Sequence, residues 1–89
     1  MTDLEKLATK HGMELPLYDS IPYMDEDPVE AVNEYLNYYG EQQGTVDNVQ
    51  AIYHSEDLTT MIVTKEEIIV GQWGGTSPDC MKVIERIKR

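Results

Sequence analysis

Residues 25 to 36, DEDPVEAVNEYL, open with acids at alternate positions, Asp25 and Asp27, as a calcium-binding EF-hand loop does. The spacing then departs from that loop. Pro28 and Glu30 stand at the fourth and sixth positions, where a glycine is needed at the sixth, and Leu36 replaces the bidentate glutamate at the twelfth. Zinc is no better served, because the one cysteine, Cys80, and the two histidines, His11 and His54, are far apart in the chain. His54, Ser55, Glu56 and Asp57 bring an imidazole, a hydroxyl and two carboxylates together, but four consecutive polar residues of these types are ordinary turn chemistry. Cys80 follows Asp79, which opposes a thiolate. The run GQWGGTSPD matches neither glycine-rich phosphate motif. Neither an enzyme nor a cofactor or metal is expected.

What remains is charge. The formal net charge is −10 over 89 residues, and residues 11–64 hold no Lys or Arg. That span carries Glu14, Asp19, Asp25, Glu26, Asp27, Glu30, Glu34, Glu41, Asp47, Glu56 and Asp57. Nucleic acid binds clustered cations, so direct contact with DNA or RNA is not expected. At 40% apolar residues the chain is too hydrophobic for a disordered acidic tail. No run reaches the roughly 20 apolar residues of a membrane span, MTDLEKLATK lacks the apolar core of a signal peptide, and a single cysteine forms no internal disulfide. One domain in a reducing cytoplasm is expected, with no membrane contact.

These carboxylates need elements to position them. Thr2 and Glu5 form a capping box ahead of Leu4, Leu7 and Ala8, with Gly12 as the stop, which predicts a short helix over residues 3–11. MELPLYDSIPY, with two prolines, reads as extended chain. Asp27 caps a second helix, with Pro28 in its first turn and Val29, Val32, Tyr35 or Leu36, and Tyr39 on its inner face, ending at Gly40 or Gly44. On its other side Glu30, Glu34, Asn37 and Glu41 form a polar stripe of about 16 Å. From Val46 to Trp73 the period changes to two, and three strands with a turn at Lys65-Glu66 are expected. Ser77-Pro78-Asp79 then opens a last helix that turns Val83, Ile84 and Ile87 inward. The expected fold class is α+β: a three-stranded antiparallel meander packed with two or three helices, in the order α-α-β-β-β-α.

A field of one sign over more than half the chain destabilises it by self-repulsion, which interspersed lysines would relieve. A basic surface is therefore the expected reader of that field. The expected partner-binding residues are Asp19, Asp25, Glu26, Glu30, Glu34, Tyr38 and Glu41, with Tyr38 turned outward beside Glu34. In size, in its lack of Lys and Arg and in this stripe, the chain resembles the small acidic DNA-mimic inhibitors, many of them made by bacteriophages. The resemblance implies a host cytoplasm and a partner that is a basic nucleic-acid-binding protein, such as a nucleoid protein, polymerase, nuclease or CRISPR effector. The alternative is a protein-protein interaction or oligomerisation module, a homodimer among its forms, with an apolar interface centred on Tyr18, Tyr23 and Tyr38.

Overall fold

In a computed structural model of the chain, which describes residues 2–40, 42–74 and 77–89, two helices and four strands follow one another. Helix α1 (Asp3–Lys10) starts at a reciprocal cap: the Glu5 N–H donates to the Thr2 hydroxyl at 3.2 Å and the Thr2 N–H donates to the Glu5 carboxylate at 3.1 Å. Hydrogen bonds from the Thr2 backbone and then from its hydroxyl hold the Glu5 carboxyl below its usual range. Gly12, at φ +77°, turns the chain away. Helix α2 (Pro28–Asn37) begins where Asp27 Oδ1 accepts the Val29 N–H at 2.8 Å. It buries Ala31, Val32 and Leu36.

Strands β1 (Ala51–His54), β2 (Thr59–Val63), β3 (Glu67–Gly74) and β4 (Ser77–Lys88) form one antiparallel sheet in the order β1-β2-β3-β4. Its two faces carry two cores. Met61, Val63, Ile68, Val70 and Ala51 pack with Leu7 and Ala8 of α1. The alternate residues Ile52, Ile62, Ile69 and Met81 pack with Val32 and Leu36 of α2. Successive strand side chains point to opposite faces, so α1 and α2 lie on opposite sides of the sheet. This explains why every residue of β2 is buried: a strand covered on both faces reads as a continuous apolar run.

The last helix expected from the sequence is instead β4, so the meander has four strands and the order is α-α-β-β-β-β. Val83, Ile84 and Ile87 satisfy a helical spacing, but residues 81–88 also alternate: Met81, Val83, Glu85 and Ile87 are covered while Lys82, Ile84, Arg86 and Lys88 are exposed. The eight-residue β3, buried at residues 68–71, supplies a long row of backbone groups that need partners, and pairing with β4 satisfies them. The register slips between Val70 and Gly71, which pair with Glu85 and Val83, so Ile84 is an extra residue in a bulge. The slip sends Met81 and Val83 to the α2 face and Ile87 to the α1 face.

Side chains close the sheet edges. At β1, Asp19 Oδ1 accepts the Ile52 N–H at 3.2 Å, and the Ser20 N–H donates to the Ile52 carbonyl at 2.8 Å. At β4, Gln43 Oε1 accepts the Val83 N–H at 2.8 Å while its amide donates to the carbonyls of Met81 at 2.7 Å and Leu36 at 3.0 Å. Asn33 pairs through both amide atoms with the backbone of Val46, tying the connection after α2 to that helix.

Candidate functional site

The α-helical part of α2 stops at Asn37, and Tyr38–Gly40 continues as a 3-10 turn with Gly40 at φ +81°. The carboxylate stripe on the helix is therefore Glu30 and Glu34, about 6 Å along the axis, shorter than the 16 Å expected. Glu41 lies outside the described residues. Asn37 belongs to the supporting structure, since its amide donates to the carbonyls of Asn33 and Gly44. Asp25 and Glu26 are exposed just before the cap. Among the described residues Asp25, Glu26, Glu30 and Glu34 make no hydrogen bond or ion pair. Asp19 stands apart from them: its carboxylate accepts from the Ile21 and Ile52 amides and serves the sheet edge.

Lys10, Arg86 and Arg89 are engaged elsewhere. Lys10 and His11, at the end of α1, both meet Glu85 of β4, at 3.1 Å and 2.6 Å. Hydrogen bonds from His11 and then Lys10 hold the Glu85 carboxyl below its usual range. Arg86 pairs with Glu67, and Arg89 donates to Gln50 and to the Thr64 carbonyl. The ion pairs thus join α1, β3 and β4, and the exposed start of α2 keeps its charge uncompensated.

Beside the second half of α2 lies a pocket of about 270 Å³ lined by Glu34, Tyr35, Tyr38 and Trp73. It shares Glu34 and Tyr38 with a wider depression of about 720 Å³ that Glu30, Asn33 and Asn37 complete. The rings of Tyr35 and Trp73 meet edge to face, with centroids 4.7 Å apart and planes at 78°. Trp73 is fixed from behind: its indole N–H donates to the hydroxyl of the fully buried Thr60 at 2.6 Å. Burial and then the charges of Glu26 and Glu34 push the Tyr35 phenol up, so the field of both carboxylates reaches the pocket wall. Tyr38 does turn outward beside Glu34. Tyr35 and Trp73 were not foreseen as part of the site, because the sequence does not show that the end of β3 runs beneath α2.

His54 Nδ1 meets the Thr60 hydroxyl at 2.9 Å, and partial burial pushes its pKa down. Ser55 bonds Asp57 within the turn that joins β1 to β2. No three groups among the described residues converge to hold a metal ion, and none of the described helices is long and apolar enough to cross a membrane. No protein-family model matches the chain, and neither a curated protein nor a solved structure does.

Proposed function

We propose that the chain is a non-enzymatic acidic binding protein that imitates a nucleic-acid backbone and occupies the basic site of a nucleic-acid-binding protein. One observation carries the reading: Asp25 and Glu26 just before α2, and Glu30 and Glu34 along it, are exposed without an ion-pair partner among the described residues, while the paired cations sit on α1 and β4. Glu30 and Glu34, spaced by about 6 Å along a helix, repeat at roughly twice the 3.4 Å rise of one DNA strand. Two helices packed on opposite sides of one sheet give those charges a firm base.

The test is capture of basic nucleic-acid-binding proteins from bacterial lysate at low salt, followed by competition with duplex DNA. Added DNA is expected to release the captured protein, and reversing Asp25, Glu26 and Glu30 to Lys to abolish capture. Asp27 is left intact because it caps α2. Reversal of Glu14 and Glu56, which are exposed and take no part in the capping or edge bonds, makes two-thirds of that charge change and is expected to leave capture intact. Equal loss from both sets would refute the placement of the site.

The interaction-module reading has an observation of its own. Tyr23 and Tyr18 are 87% and 75% exposed, an unusual display of aromatic surface on the segment that crosses the β1 edge. On that reading the partner stays bound in high salt and ignores DNA.

A further inference from the structure

We propose that the pocket between α2 and the end of β3 is a receptor for one arginine side chain of a protein partner, with the guanidinium plane against Tyr35, Tyr38 and Trp73 and its fork on Glu34. Tyr35 and Trp73 stand at 78°, which leaves a right-angled corner with an aromatic wall on each side. Aromatic faces attract cations, and they do so most strongly where water is displaced. Tyr38 closes the corner from the turn after α2, and Glu34 lies on its rim. The hydrogen bond from Trp73 to buried Thr60 sets the largest ring before any ligand arrives.

Size and charge select the occupant. At about 270 Å³ the pocket has room for one side chain, beside the wider depression with which it shares Glu34 and Tyr38. Among the described residues no lysine or arginine lines it or its wider neighbour, while Glu34 supplies negative charge to both and Glu30 to the wider one. A guanidinium is preferred to an ammonium because it is planar, stacks on rings, holds water weakly and presents paired donors to a carboxylate. That the arginine belongs to a basic nucleic-acid-binding protein rests on the function proposed above, whereas the preference for a guanidinium rests on the pocket alone.

Trp73 is the sole tryptophan of the chain, so its emission reports on this pocket directly. The experiment titrates the intact protein at constant ionic strength with Nα-acetylarginine amide and with the citrulline amide, which has the same shape and no charge. Arginine amide is expected to change Trp73 emission saturably, at a concentration on the order of millimolar, and citrulline amide to do so at least about fivefold more weakly. Glu34→Gln, an exposed helix position, is expected to weaken arginine about fivefold, as is Tyr38→Leu, which keeps the bulk and loses the π face. Glu56→Gln lowers the charge equally and is expected to change nothing. Flat emission, equal response to citrulline, or equal loss in Glu56→Gln overturns the proposal. Binding of arginine amide without DNA-reversible capture of a basic protein would uphold the pocket and sink the mimicry. Capture that DNA reverses, with flat Trp73 emission and no effect of Glu34→Gln, would do the opposite.

Discussion

Gln43→Met keeps the length of the side chain and deletes its polar end. Three hydrogen bonds go with it, to Leu36, Met81 and Val83, at 3.0, 2.7 and 2.8 Å. Each half-buried bond contributes about 1 kcal/mol net, and the two carbonyls keep a second lone pair for water, so a loss of about 2 kcal/mol is expected. For a domain of this size that is a fall of about 8–16 °C in Tm, read from a thermal melt. Gln43→Glu sharpens the test. Its carboxylate still accepts from the Val83 N–H but faces two carbonyl oxygens where the amide donated, so at pH 7 it is expected to be at least as damaging. The folded state then favours the protonated carboxyl, whose folded pKa lies above its unfolded value. Stability is therefore regained as pH falls from 7 towards about 4.5. A Tm within about 3 °C of the parent for Gln43→Met, or a Gln43→Glu protein as stable as the parent at pH 7, would refute the claim that this side chain seals the β4 edge.

Lowering the pH through the acid range tests the Glu85 contacts. Its carboxyl is held below the ordinary 4.5, so its contribution is complete above that value and is lost as pH falls through the depressed one. The stability advantage of the parent over Glu85→Gln is thus expected to shrink between about pH 5 and pH 3 in parallel denaturation curves. Raising NaCl from about 20 mM to about 300 mM is expected to raise Tm, because the carboxylates at the start of α2 repel one another without compensation; a flat or falling Tm would show that they do not. Gly71→Ala would place a Cβ 2.5 Å from Cγ and Sδ of the fully buried Met81. A loss of about 1–3 kcal/mol in urea unfolding is expected.

The elements whose signals are local were legible in the sequence. Thr2 with Glu5, and Asp27 with Pro28, mark helix starts by chemistry that acts within four residues. The β-branched runs of β1 to β3 carry their own period. The fourth strand was not legible, because Val83, Ile84 and Ile87 fit two periods and Ser77-Pro78-Asp79 imitates a helix start. What decides between the periods is β3, whose demand for a partner appears only once the sheet exists. At the site the same division holds. The exposure of Glu30 and Glu34 follows from helical spacing, whereas Tyr38 lies past the end of the α-helix, where that spacing no longer holds. The role of Asp19 and the aromatic corner of Tyr35 and Trp73 depend on chain segments meeting across the fold.

Residues 81, 83, 85 and 87 are all odd, so a strand paired without slip would turn the four side chains toward one helix. The extra residue gives β4 two reading frames: Met81 and Val83 are read by α2, Glu85 and Ile87 by the α1 side. Ile84 is the punctuation between them. Deleting it leaves Val83, Lys82 and Met81 on one side and Glu85 to Lys88 on the other opposite their present partners on β3. The change of frame falls at a backbone position whose side chain is nearly half exposed.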